Sequence, residues 1–376
     1  MSEPLKFFLV AGEPSGDLHG GNLIHSIINI EPNSSFMGHG GNAMRDAGMN
    51  IIEHSDSLAI MGFLEVVKHL PRMIKIMGET VKTISRAKPD RIILIDYPGF
   101  NLKLATNIFH LGIPITYFIL PQAWAWKEKR VETMKAVLDQ TLSIFPFEEE
   151  WYNSKGLPTT YVGHPFTEHQ HVDESSKSFY QRHKLTIEHS ILVLLPGSRQ
   201  QEVDRHWPVF LKTVAVLRGF IPDLQIIVGK APNVKLLNVP DNFRVEQNAR
   251  KAMMVGTAAL VSSGTATLEC AVEGTPMVVC YKLSSISWLI AKSMTNVNYS
   301  SMVNLIANKE LVPEFLQNEM KPENIVTALT PLLDTKSKKR ETMLDGFDKI
   351  RKSLGIPGVY DRAAKAIITK TKHRYD

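Results

Sequence analysis

The chain has 376 residues, 44% hydrophobic and 22% charged, a balance that excludes a disordered chain and suits two domains of roughly 150 to 200 residues each. Its formal net charge of +5 favours anionic partners, such as phosphorylated ligands or an acidic membrane face, without implying nucleic acid. The two cysteines, Cys270 and Cys280, sit in apolar runs, which argues against a disulfide framework or a zinc site.

The N-terminus runs straight into a strand-like stretch with no basic, apolar and small-residue succession of a signal peptide. No window reaches the roughly 18 apolar residues of a membrane-spanning helix, so a cytoplasmic protein is expected. Apolar runs over residues 5–11, 91–96, 114–120, 141–147 and 160–162, separated by helix-length segments, predict the buried strands of a parallel, doubly wound sheet. The polar stretch 167–178 reads as a linker. A second set of strands follows at 191–195, 224–229, 243–245, 258–262 and 277–281, with helices such as 248–255 and 265–272 between them. Beyond about Pro322 the spacing is helical, with no further strand. Two α/β units of this kind bind ligands at the carboxyl ends of their strands, in a cleft between the domains.

Ala-Gly-Glu-Pro-Ser-Gly-Asp, residues 11–17, ends the first strand with Glu13, Ser15 and Asp17 in close succession. Ser15 or Asp17 caps the following helix, or the turn meets an acceptor or a phosphate. Gly-His-Gly-Gly-Asn-Ala, residues 38–43, matches a dinucleotide-binding spacing in form but follows the second strand, and is read as a loop. Residues 61–77 mix apolar side chains with Lys68, His69, Arg72 and Lys75. Such a segment either seats in a lipid interface or forms an amphipathic core helix interrupted by Pro71.

Asp96 closes the apolar run Ile-Ile-Leu-Ile. A carboxylate there is costly unless used or capped, and its apolar surroundings raise its pKa toward that of a general base. Trp124 and Trp126 stand two residues apart beside Lys127, Lys129 and Arg130, a set that suits sugar stacking, phosphate contact or ordinary packing. In the second half, Leu-Pro-Gly-Ser-Arg, residues 195–199, and Ser-Gly-Thr-Ala-Thr-Leu-Glu, residues 263–269, each end a strand. The helix opening at Thr265 offers N–H groups to a diphosphate, Arg199 adds a bidentate charge, and Glu269 can take hydrogen bonds from a ribose.

These motifs, together with Met-Gly-Phe-Leu-Glu-Val from residue 61, Asp-Tyr-Pro-Gly-Phe-Asn from residue 96, Phe-Pro-Phe-Glu from residue 145 and Val-Gly-His-Pro from residue 162, resemble the lipid-A-disaccharide synthase family in order and spacing over nearly the whole chain. The resemblance implies a GT-B fold of two Rossmann-like domains with a cleft between them and C-terminal helices crossing back. It implies an acceptor and lipid domain over 1–168, a UDP-sugar domain over 169–350, and a final helix, 351–376, on the first domain. The implied reaction transfers 2,3-diacylglucosamine from UDP-2,3-diacylglucosamine to 2,3-diacylglucosamine 1-phosphate (lipid X), with no cofactor, no metal and no nucleic acid.

By motif match Asp96 is the implied general base and Arg199 the essential arginine, with Ser198, Gly264, Thr265, Glu269 and Asn304 as nucleotide contacts. Glu13, Ser15, Asp17 and Trp126 fall on the acceptor pocket. Met61, Phe63, Leu64, Val67, Lys68 and Arg72 fall on the family's surface toward the membrane and acyl chains, which implies a monomer or homodimer at the cytoplasmic face of the inner membrane. Gly99 stands where many members carry a second aspartate, and Ser301-Met-Val-Asn304 replaces a Ser-Leu-Pro-Asn pattern.

Overall fold

The computed structural model describes residues 3–58, 63–125, 127–168, 174–232, 234–284, 288 and 298–373. The chain divides into two compact units, one made of Met1–Glu168 with Leu354–Asp376 and the other of His169–Ser353.

The first unit opens with β1 (Lys6–Ala11), α1 (Pro14–Ile30), β2 (Ser35–Gly40), α2 (Asn42–Asp46), β3 (Asn50–His54), α3 (Ser55–Leu58) and α4 (Phe63–Ala87). It continues through β4 (Arg91–Ile95), α5 (Pro98–Ile108), β5 (Ile115–Phe118), α6 (Arg130–Val137), β6 (Gln140–Ser143), α7 (Pro146–Ser154) and β7 (Thr159–Tyr161). All seven strands are parallel, in the order β3-β2-β1-β4-β5-β6-β7. The order reverses between β1 and β4, where Ala11 lies opposite Ile95. Ligands of open α/β sheets bind at such a reversal, beyond the carboxyl ends of the strands.

The second unit holds α8 (Ser176–His183), β8 (Ile191–Leu195), α9 (Gln200–Phe220), β9 (Gln225–Gly229), β10 (Arg244–Glu246), α10 (Ala249–Val255), β11 (Ala258–Ser262), α11 (Thr265–Glu273) and β12 (Met277–Tyr281). There follow α12 (Met302–Ala307), β13 (Glu314–Leu316), α13 (Pro322–Leu333) and α14 (Lys338–Ser353). Its parallel sheet runs β10-β9-β8-β11-β12-β13, with the reversal between β8 and β11, where Leu195 lies opposite Val261. The last helix, α15 (Val359–Lys372), returns to the first unit and packs along α1, where Ser26 Oγ donates to Asp361 at 2.7 Å.

Every residue of β4, β8 and β11 is buried, as expected of central strands covered on both faces. The expected strand over 141–147 is shorter. It stops at Ser143, because Pro146 occupies the first turn of α7 and its ring fixes a helical φ. Pro71 does not interrupt the segment it stands in, since α4 runs through it to Ala87. The edge strands β3 and β13 were not expected; each has a single neighbour and a half-exposed, polar-interrupted sequence. Beyond Pro322 the described residues are helical, without a strand. Among the described residues no helix is long and apolar enough to cross a membrane.

Candidate active site

At the reversal point of the first sheet, β1 leads to Glu13 and β4 to Asp96. Asp96 and Tyr97 both take left-handed backbone conformations, φ 46° and 49°, which cost non-glycine residues roughly 1–2 kcal/mol each. The turn is held by several bonds. The Asp96 carbonyl accepts from Asn101 Nδ2 at 2.7 Å and from Tyr117 Oη at 2.6 Å, and Tyr97 Oη donates to the Leu58 carbonyl at 2.7 Å. The Tyr97 ring lies so close to the β1–α1 turn that a Cβ on Gly12 would stand 2.3 Å from it, so only glycine fits there. Burial raises the Asp96 carboxyl from 3.8 to about 6, with a smaller push from the charge of Glu13. Neutral pH therefore leaves most of it ionised yet basic enough to take a proton. A Cβ at Gly99 would meet nothing within 4 Å, so the absence of an aspartate there is not steric.

Neither Ser15 nor Asp17 caps α1. Glu13 holds the N-cap position without a side-chain bond, and Ser15 is exposed. The Asp17 carboxylate instead reaches across to α2, accepting from the backbone N–H groups of Gly41, Ala43 and Met44 at 2.6, 3.0 and 3.0 Å. Residues 38–43 thus form a strand end and a short helix whose N-terminus is occupied by a buried carboxylate of the chain itself. Trp126 and Met61 lie outside the described residues, as do the side chains of Phe63, Leu64, Val67 and Lys68. Arg72 is exposed on α4, 3.5 Å from Glu53.

The second unit carries a cavity of about 530 Å³ at the carboxyl ends of β8, β9, β11 and β12. Ser198, Arg199, Lys230, Gly264, Thr265 and Tyr281 contribute to its wall. Gly264, at φ 152°, is the N-cap of α11 and supplies no side-chain acceptor; the Thr267 N–H donates to its carbonyl at 3.1 Å, so the N–H groups that lead the helix toward an anion are those of Thr265 and Ala266. Arg199 is 57% exposed and only loosely paired with Glu202, at 3.7 Å, which leaves its guanidinium able to turn to a phosphate.

Two of the expected nucleotide contacts do not line this cavity. The Glu269 carboxyl, four residues into α11, is partly buried among Arg250 and Glu273 and is not part of the cavity wall. Asn304 is fully buried with its amide used up: Nδ2 donates to Val312 O and Glu314 Oε1 at 2.9 and 2.7 Å, and Oδ1 accepts from the N–H groups of Leu311 and Val312. It fastens the approach to β13.

Sequence reasoning overlooked His206, fully buried on α9. Its Nε2 accepts the Lys282 N–H at 3.0 Å, which leaves Nδ1–H to donate to the Pro196 carbonyl at 2.8 Å. The ring is a neutral tie between the Pro196–Arg199 loop and the end of β12, and burial lowers its pKa, favouring that neutral form. A histidine seven residues past Arg199 on a helix had no signal of its own in the sequence.

Comparison with solved structures places the architecture. A putative UDP-N-acetylglucosamine 2-epimerase from Listeria monocytogenes superposes with a TM-score of 0.65 at 11% identity, covering 100% of this chain and 97% of that one. The calicheamicin glycosyltransferase CalG4 superposes at 0.58 and 12% identity, covering 100% of both chains. The two parallel sheets and these neighbours define a GT-B fold. Residues 7–366 match the family model for lipid-A-disaccharide synthetase, which makes the chain a glycosyltransferase. The lipid-A-disaccharide synthase of Myxococcus xanthus is 34% identical over 98% of each chain, and that of Solibacter usitatus 37% over 96% of each. The chain belongs to the lipid-A-disaccharide synthase family, whose reaction joins 2,3-diacylglucosamine from its UDP derivative to 2,3-diacylglucosamine 1-phosphate in lipid A biosynthesis.

Proposed function

We propose that the two units divide this reaction, with the acceptor and its acyl chains served by the first and UDP by the second. Asp96 takes the proton from the acceptor 6-hydroxyl as that oxygen attacks the anomeric carbon of the donor. The bond from the anomeric carbon to the diphosphate breaks, and its electron pair leaves with UDP, inverting the configuration to a β-1,6 linkage. Arg199, Ser198 and the N-terminus of α11 at Gly264 and Thr265 take up the charge that develops on the diphosphate. The observation that carries this reading is the Asp96 carboxyl, fixed at the reversal point of its sheet and pushed up by burial to about 6.

Membrane association belongs to the same reading, because both substrates carry acyl chains. The amphipathic helix α4 supports it: Ile74 is exposed between Arg72 and Lys75, which are exposed too, a pairing of apolar and cationic groups suited to an anionic bilayer face. The test is UDP release with acylated donor and acceptor, in wild type, Asp96→Ala and Arg199→Ala. Severe loss in both variants, with UDP affinity reduced only in Arg199→Ala, is expected; loss of UDP affinity in Asp96→Ala would overturn the division of roles.

A further inference from the structure

Helix α7 turns two polar side chains onto the loop that follows β5. Tyr152 Oη donates to the Pro121 carbonyl, and Glu148 Oε1 accepts the Trp124 indole N–H at 3.0 Å. The indole also stands edge-on to Phe147, with ring centroids 4.9 Å apart. The loop begins beside the candidate base: Ile95 lies opposite Phe118 in the β4–β5 ladder, and the Asp96 N–H donates to the Phe118 carbonyl at 3.1 Å, one residue before the loop starts. Tyr117, on β5, donates its hydroxyl to the Asp96 carbonyl.

Glu148 is fully buried, and its Oε2 has no hydrogen-bond partner. A carboxylate in such a place, with the indole N–H as its side-chain partner, the backbone N–H groups of Ile144 and Phe145 giving smaller support and no salt bridge to it among the described residues, is costly; a carboxylic acid is not. Enclosure also keeps it from touching a substrate, so its effect passes through the groups it holds.

We propose that Glu148 is a positioning residue for acceptor binding, holding the Pro121–Ala125 loop beside Asp96 through Trp124 by means of an uncharged carboxyl group. The inference rests on the first unit being the acceptor side. Burial raises Glu148 from 4.5 to about 8, and the nearby Asp96 charge adds to the push. The groups that bear on it are Asp96 at the end of β4 and Tyr152 on its own helix, with Arg130 of α6 acting on Tyr152 and on Tyr117 of β5. Ionisation of Glu148 would set a second negative charge against the base and leave a buried charge on the loop's anchor.

The experiment measures donor and acceptor KM separately in Glu148→Ala, Trp124→Phe and Glu148→Gln, and follows intrinsic fluorescence against pH. Glu148→Ala and Trp124→Phe should raise acceptor KM about tenfold and leave donor KM within about twofold, the loss expected of one buried hydrogen bond. Glu148→Gln, neutral at every pH and still an acceptor for the indole, should rescue acceptor KM to within about threefold. Unchanged acceptor KM in Trp124→Phe, or a Glu148→Gln as impaired as Glu148→Ala, overturns the proposal. If Glu148→Ala fails to fold, the fluorescence decides: the wild-type signal should change above about pH 7 and that of Glu148→Gln should not, whereas a change that Glu148→Gln abolishes and that is complete by about pH 6, or an identical change in both proteins, refutes the uncharged anchor. A rise in donor KM instead of acceptor KM would show that the assignment of the first unit has failed rather than the Glu148–Trp124 link alone.

Discussion

Replacing Asp96 by Asn should stabilise the chain at neutral pH while abolishing turnover. Burial pushes the folded-state carboxyl up to about 6 from the 3.8 of the free group, so ionising it in the folded protein costs about 3 kcal/mol more than in the unfolded chain. A carboxyl whose pKa is raised by folding stabilises the folded state fully below the unfolded value, and that contribution is lost as pH rises through the folded one. The penalty borne by Asp96 is thus near zero below about pH 3, about 1.5 kcal/mol at pH 5 and about 3 kcal/mol at pH 8. Asn cannot ionise, and it adopts the left-handed conformation as readily as Asp, so the strained turn is unchanged. Urea unfolding of both proteins should show the Asn variant gaining over wild type between pH 5 and pH 8, by about 1.5 kcal/mol, the increment that survives any pH-independent difference between the side chains. An equal gain at both pH values, or none, would refute the burial argument for a raised Asp96 pKa and with it the physical reason for choosing Asp96 as the base.

Other substitutions separate residues that hold the site from residues that contact ligands. Asp17→Ala strips three backbone N–H groups of their acceptor and should lower stability by about 2–4 kcal/mol in thermal or urea unfolding; a change under about 0.5 kcal/mol would mean the α2 anchor is dispensable. His206→Ala cuts the link between Pro196 and Lys282 and should weaken UDP binding about tenfold by calorimetry, with the Arg199 loop no longer fixed; unaltered affinity would contradict that role. In wild type, kcat/KM should fall about tenfold per pH unit below about 6 as Asp96 takes up its proton, and Glu13→Gln should move that limb downward by less than about one unit, because burial, not Glu13, supplies most of the shift. An upward shift would reverse the sign of the Glu13 interaction.

The central strands were legible because burial on both faces leaves continuous apolar runs such as Ile191–Leu195. Two edge strands were not, since Asn50–His54 and Glu314–Leu316 mix apolar with polar residues and owe their conformation to one neighbour each, whereas the edge strands Thr159–Tyr161 and Arg244–Glu246 fell on expected runs. Strand ends carrying chemistry were legible too: Asp96 in the first sheet and Arg199 and Gly264 in the second stand where apolar runs stop, and parallel topology gathers such points at the carboxyl edge of each sheet. Long-range polar bonds were hidden. Nothing local distinguishes an Asp17 that caps its own helix from one that anchors a loop 24 residues away, or an exposed Asn304 from one committed to Leu311, Val312 and Glu314. Glu148 and His206 had the same defect as signals, because a polar residue inside a helix gains meaning only once packing has buried it.

The division of labour between the units is tested most directly by a single comparison, UDP release from acylated donor and acceptor by wild type and Asp96→Ala at pH 7.5, with UDP affinity measured on the same samples. Turnover reduced by about three orders of magnitude or more with unchanged UDP affinity is the expected result, in the range that removal of a general base produces. Turnover within about threefold of wild type would contradict the assignment of Asp96 as the base and the acceptor role of the unit that carries it.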